Sequence, residues 1–218
     1  MKSVAIVANG PKSHIPILAE YKHKIDCWIG ADRGASIIIE QGLPLYKAVG
    51  DFDSVTKQEI ELIKEHTDEV TIFPSKKNET DLELAIREAL LLNPSHISFF
   101  GMSGGRLDHG LINIQLLYPL LEKGINATII DNWNEVQLMK PGTHIIEKKN
   151  QYPYLSLIPF TPVVEGVSLD DSFLYTLLNE TIEWGSTLCI SNELCKQEGT
   201  LHFESGRLLM IQSKDSKV

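Results

Sequence analysis

Tyr46-Lys47-Ala48-Val49-Gly50-Asp51-Phe52-Asp53-Ser54 decides how this chain reads. The run 46–49 suits a strand, and two carboxylates follow directly on its end. On an extended backbone, residues i and i+2 point to the same side, so Asp51 and Asp53 are expected to aim at one point with Phe52 turned away. Two like charges this close raise each other's pKa unless a cation lies between them. A hard divalent ion such as Mg²⁺, held by one or two carboxylates plus substrate phosphates, is the natural occupant. The same residues also make good turn chemistry. Thr56, with Glu59 three residues on, reads as a capping box opening a helix.

The flanking sequence supplies the context for that stretch. Short apolar runs at about 4–8, 27–29, 46–49, 70–73, 97–100 and 127–130 alternate with helical periodicity at about 13–22, 33–41, 57–66, 81–92 and 108–123. This alternation predicts an α/β domain with a mostly parallel, Rossmann-like sheet covered on both faces and right-handed crossovers. In such sheets ligands bind beyond the carboxyl ends of the strands. On that edge fall Asn9-Gly10, Gly30-Ala31-Asp32-Arg33-Gly34, the Asp51/Asp53 pair, Lys76 to Asp81, and Gly101-Met102-Ser103-Gly104-Gly105-Arg106-Leu107-Asp108-His109.

Near Pro141-Gly142 the helical periodicity stops. Short β-rich runs follow at about 144–147, 154–158, 187–190, 200–203 and 208–212, and Glu204-Ser205-Gly206-Arg207 reads as a hairpin turn between the last two. The division expected is an α/β domain at 1–135 and a small all-β sandwich domain at 140–218. At about 75 residues the second is near the size where a lone core is only marginally stable, so it should lean on the first domain or on a second subunit.

The totals remove several classes. A net charge of −9, from 20 basic and 29 acidic residues, argues against a nucleic-acid partner, which needs a basic footprint. Cys27, Cys189 and Cys195 show no metal-binding spacing and no disulfide framework, which fits a reducing cytoplasm. The run 4–8 is too short for a signal-peptide core, and no run approaches the length of a membrane span.

The remaining stretches have a functional and a structural reading each. Thr80 and Glu83 form a second capping box, which puts Asp81 in the first helical turn, either as complement to the helix dipole or as a further metal carboxylate. Lys76 and Lys77 can reach phosphate oxygens or stand in solvent. Gly104 and Gly105 let backbone approach an anion, and Arg106 offers a planar fork for phosphate. Asp108 can bind metal or begin the next helix, and His109 can serve as a base or as structure. Gly30, Asp32 and Arg33 read as a nucleotide contact or as a plain strand-to-helix turn. There is no phosphate loop of the Gly-x-x-x-x-Gly-Lys type, no dinucleotide fingerprint and no nucleophile elbow.

Taken in order and at these separations, Gly50-Asp51-Phe52-Asp53-Ser54, Thr80-Asp81 with Glu83, and Gly105-Arg106-Leu107-Asp108-His109 resemble the thiamine pyrophosphokinase family. The likeness extends over almost the whole chain, including Ser191-Asn192-Glu193. The resemblance implies transfer of the β,γ-diphosphate of ATP to the hydroxyl of thiamine, with Mg²⁺, releasing AMP. It also implies a homodimer in which thiamine lies where the sandwich of one subunit meets the α/β domain of the other. By motif, Asp51, Asp53, Asp81 and Asp108 would serve the metal and the phosphates, and Gly30, Asp32 and Arg33 would lie near the nucleotide. Tyr175 would stack on thiamine, with Ser191 and Asn192 lining its pocket. Ser172 stands where relatives often have glycine and Tyr175 where they often have Trp. A diphosphokinase for another small alcohol, such as a hydroxymethylpterin, and a non-catalytic sensor of thiamine diphosphate or nucleotide are the alternative readings.

Overall fold

The computed structural model describes residues 2–53, 55–74, 76 and 78–216. By its internal contacts the chain divides into two compact units, Met1–Asn132 and Trp133–Val218.

In the first unit six strands form: β1 (Lys2–Val7), β2 (Cys27–Ala31), β3 (Leu45–Gly50), β4 (Val70–Ile72), β5 (Pro94–Phe100) and β6 (Asn126–Ile130). They lie in the order β6-β5-β1-β2-β3-β4, and every pairing among them is parallel. Val4, Ala5, Ile6 and Val7 are all fully buried, as a central strand covered on both faces requires. The helices are α1 (Gly34–Glu40), α2 (Lys57–His66), α3 (Asp81–Leu90), α4 (Leu107–Gln115) and α5 (Leu117–Glu122). Trp28 stacks on Phe100 at 5.9 Å, and Tyr21 meets the same ring edge-on. Both expected capping boxes are present: Thr56 and Glu59 open α2, and Thr80 and Glu83 open α3.

Two helix expectations are corrected, both by proline. The stretch 13–22 is not an α-helix but two 3-10 segments, Lys12–His14 and Leu18–Lys24. Pro16 between them has no N–H to continue an i to i−4 ladder. The stretch 108–123 is broken at Leu116 into α4 and α5. Pro119 would set its ring against the carbonyl of residue 115 in one continuous helix.

The second unit is all antiparallel. Its strands are β7 (Asn134–Met139), β8 (Gly142–Glu147), β9 (Tyr154–Pro159), β10 (Val163–Leu169), β11 (Leu177–Glu183), β12 (Asn192–Glu193), β13 (Glu198–Phe203) and β14 (Leu208–Ser213). They fall into two sets, β12-β9-β14-β7 and β11-β10-β13-β8. Leu155, Leu157, Leu208 and Met210 from one set and Val164, Val167, Leu201 and Phe203 from the other share a single core.

The segment 187–190 is turn, not strand, and β7, β10, β11 and β12 have no counterpart in the sequence reading. Nor do β13 and β14 form a hairpin. β13 pairs with β8 and β10, whereas β14 pairs with β7 and β9. The residues 204–207 instead carry the chain from one set to the other. Ser205 bridges Glu165 on β10, and Gly206 turns with φ of 86°.

Candidate active site

The order of the parallel strands creates one special place. The chain leaves β1 toward β2 on one side and returns to β5 on the other, so the loops after β1 and β5 diverge. Open α/β sheets place ligands at such a switch point. A cleft of about 960 Å³ lies there. Its walls are 8–12 after β1, 31–33 after β2, Thr80 to Leu82 at the start of α3, and the loop 101–106 with the first turns of α4.

The glycine loop supplies one wall. Gly104 and Gly105 have φ of 91° and 80°, in the left-handed region that favours glycine. A side chain on Gly105 would meet nothing within 4 Å, so its backbone faces open space. Gly30 serves differently. It does not line the cleft, and a Cβ there would sit 2.3 Å from Cα of Ala35, so its lack of a side chain lets β2 pack against α1.

The carboxylates fall into two settings. Asp51 and Asp53 are close, but not through the pleat of a strand: Phe52 adopts φ of 56° and is buried. In that turn the Asp53 N–H donates to Asp51 Oδ1 at 3.2 Å. The Asp53 carboxyl is pushed above its ordinary range, first by its hydrogen bond with Asp51 and then by the Asp51 charge. Partial desolvation and the charges of Asp32 and Asp81 add to the shift. Asp108, by contrast, is taken up by Arg106, whose Nε and Nη2 donate to its two oxygens at 3.1 and 2.5 Å. That fork holds Asp108 below the usual carboxylate range, helped by the His109 N–H at 3.0 Å.

The other cations of the cleft are also engaged. Arg33 Nε donates to Glu59 at 3.1 Å, and Lys12 pairs with Glu40 at 2.5 Å. Among the described residues, no three His, Cys, Asp or Glu side chains form a ready-made metal cage. The donor set nonetheless suits Mg²⁺, which takes one or two carboxylates and completes its shell with phosphate and water. The charges of Asp51 and Asp81 both bear on Asp53, whereas Asp108 is bound to Arg106. Ser54 and Lys77 lie outside the described residues.

In the second unit Tyr175 is 62% exposed, and its backbone is fixed in both directions by one side chain. Its N–H donates to Asn192 Oδ1 at 3.0 Å, and its carbonyl accepts from Asn192 Nδ2 at 2.8 Å. Asn192 is buried and spends its amide on this brace. Ser191 is exposed with φ of 57°, and its N–H donates to Ser156 Oγ at 3.0 Å. Ser172 is not in a left-handed conformation, so a side chain is tolerated there without strain.

Two residues at the site escaped the sequence reading: Lys12, which lines the cleft, and Asp131 after β6, which does not line it but accepts a hydrogen bond from Ser103, which does. Asp131 was findable, because it follows the sixth apolar run on the same edge of the sheet.

Comparison with known proteins identifies the family. Residues 18–129 match the family model of the thiamin pyrophosphokinase catalytic domain. Residues 143–208 match that of the thiamin pyrophosphokinase vitamin B1 binding domain. The chain is 43% identical over 215 residues to thiamine pyrophosphokinase of Bacillus subtilis (strain 168), covering 99% of this chain and 100% of that one. The crystal structure of the Bacillus subtilis protein superposes with a TM-score of 0.93 at 42% identity, over 99% of this chain and 100% of that one. That of thiamin pyrophosphokinase from Geobacillus thermodenitrificans gives 0.88 at 36%, over 99% of each chain. With two family models and a full-length relative in agreement, the chain belongs to the thiamin pyrophosphokinase family.

Proposed function

We propose that this enzyme transfers the β,γ-diphosphate of ATP to the hydroxyl of thiamine, giving thiamine diphosphate and AMP. The observation that carries this reading is the cleft at the sheet's switch point, where Asp32, Asp81, Arg33, Arg106 and the Gly104-Gly105 backbone line one space. The thiamine oxygen forms a bond to the β-phosphorus as the bond from that phosphorus to the α-phosphate oxygen breaks, and AMP departs. The hydroxyl proton passes to the carboxylate group of the cleft.

No protein nucleophile is needed, so the protein's task is positioning and charge neutralisation. Arg106 exchanges its fork on Asp108 for phosphate oxygens, and Arg33 and the Gly105 backbone hold the nucleotide. Asp51, Asp53 and Asp81 would hold Mg²⁺, which supplies positive charge to the transferred phosphates. The repulsion that raises the Asp53 carboxyl supports that assignment, since a cation relieves it.

In the same reading the first unit is a Rossmann-like nucleotide domain and the second a sandwich that binds thiamine, with Tyr175 stacked on it and Ser191 beside it. A homodimer accounts for the apolar surface each unit leaves uncovered. α4 buries no residue, Leu107 is 76% exposed, and Leu178 and Trp184 are exposed on the second unit. Among the described residues no helix is long and apolar enough to cross a membrane, and we place the enzyme in the cytoplasm.

The test is an assay of purified protein with ATP, Mg²⁺ and thiamine, the products separated by chromatography. AMP and thiamine diphosphate should appear together, and only with both substrates present. ADP with thiamine monophosphate would overturn the assigned phosphorus, and a preference for pterin alcohols would overturn the substrate.

A further inference from the structure

The wall of the cleft built by the loop 101–106 has no helix or strand of its own, yet it must hold a defined shape. We infer that Asp131 and Asn132, the dipeptide after β6, are positioning residues that clamp this glycine loop against the segment after β1, and so set the site for the nucleotide phosphates. This rests on the reading of the cleft as the nucleotide site.

Asp131 is only 3% exposed, and its Oδ2 accepts from Ser103 Oγ at 2.5 Å. That bond fixes the residue next to Gly104. Its neighbour Asn132 grips the other partner. The Asn132 N–H donates to the His14 carbonyl at 2.9 Å, and its Nδ2 donates to the Ser13 carbonyl at 2.7 Å.

The two gripped segments then meet face to face. A Cβ on Gly104 would sit 2.8 Å from Nδ1 and Cε1 of His14, so the loop backbone lies directly on that ring. The contacts close a circuit: Asp131 to Ser103, Gly104 to His14, and His14 back to Asn132. On the far side Asn113 Nδ2 donates to the Met102 carbonyl at 2.8 Å, which ties the loop to α4 as well.

β5 and β6 are parallel neighbours with Phe100 opposite Ile130, so the strand ends deliver Ser103 and Asp131 together without a helix to guide them. The clamp therefore belongs to the sheet and transmits its rigidity to the Gly105 backbone and Arg106. Asp131 and Asn132 do not themselves line the cleft. Their action is on the geometry of the phosphate wall, where a displacement near 1 Å is enough to lower rates about a hundredfold.

The test uses the full chain and the variants Asp131→Ala, Asp131→Asn and Ser103→Ala. Steady-state assays are run in parallel with calorimetric binding of α,β-methylene-ATP in Mg²⁺. Asp131→Ala should raise the KM for ATP and weaken analogue binding about tenfold, leaving the KM for thiamine unchanged. Asp131→Asn keeps an oxygen that accepts from Ser103 and should restore both constants to within about threefold.

ATP and analogue constants within twofold of the unaltered enzyme in both Asp131→Ala and Ser103→Ala would overturn the inference. So would an equal rise of both KM values, the mark of general loosening. If Asp131→Ala does not fold, Ser103→Ala decides. An unaltered protein that binds the analogue but makes no thiamine diphosphate sinks the proposed reaction, and the binding arm still judges the clamp. An unaltered protein that binds no nucleotide sinks both.

Discussion

The loops after β3 and β5 both carry acid, and their electrostatics have opposite signs. After β3, Asp51 and Asp53 face each other, with Asp32 and Asp81 within electrostatic range, and the Asp53 carboxyl is driven up. After β5, Asp108 sits in the fork of Arg106 and is driven down. The first loop is incomplete without a cation, whereas the second carries its own. In the proposed reading a magnesium–phosphate ligand would complete both, supplying positive charge to the first and a new oxyanion partner for the Arg106 of the second.

The variant that should break this contrast most severely is Asp53→Asn. Its turnover should fall by roughly a hundredfold to a thousandfold, the scale on which a preorganised electrostatic contact contributes. The fold should survive, because removing a like charge relieves repulsion. AMP release and a thermal melt measure the two effects, and near-normal turnover would remove Asp53 from the metal site. Next comes Arg106→Lys, which keeps the charge and loses the fork. It should raise the KM for ATP about tenfold, because Lys cannot match planar bidentate geometry. An unchanged KM would mean that Arg106 serves Asp108 alone.

A smaller effect is expected from Thr80→Ala. It removes the capping box that sets Asp81 at the start of α3, and should lower stability by about 1 kcal/mol in denaturant unfolding. Stability unaltered by the change would show that α3 is held by its buried face alone.

The smallest effect is the pH dependence of stability without metal. The raised pKa of Asp53 means the native state keeps a proton that the unfolded chain loses just above the ordinary carboxylate range. Its contribution therefore falls as pH rises through that window. Asp108, with its lowered pKa, contributes fully above the ordinary range and loses that contribution as pH falls through its folded value. Melting curves for Asp53→Asn and Asp108→Asn across the acid range should differ from the unaltered protein with opposite slopes. Parallel curves would mean that the two loops do not differ in this way.

Much of the first unit was legible because its signals are local. A capping box needs four residues, and Thr56 with Glu59 and Thr80 with Glu83 supply them. Parallel strands buried on both faces read as plain apolar runs, as at Val4 to Val7. The failures came where a distant partner decides. The proximity of Asp51 and Asp53 was anticipated from an extended backbone, but the buried Phe52 bends the chain there into a left-handed turn. β11 was missed because its burial pattern is almost entirely exposed, so its alternation carries little signal. The residues after β13 look like a hairpin turn in isolation, and only the pairing with Glu165 sends the chain to the other set. The Asp131 clamp was invisible for the same reason, since Gly104 and His14 meet only after β1, β5 and β6 are aligned.

The pairing of β1 with β5 has a consequence for how the protein is made. Lys2 lies opposite Pro94, and Val7 opposite Phe100. A nascent chain that has emerged only as far as α3 therefore presents one side of β1 as an open edge, with unpaired amides inviting another chain. The switch-point cleft, whose walls come from both ends of this long loop, cannot exist before that edge is closed. In the proposed reading ATP can then stabilise the fold by mass action only once the chain has emerged past Asn113, the last residue lining the cleft, leaving earlier species untouched.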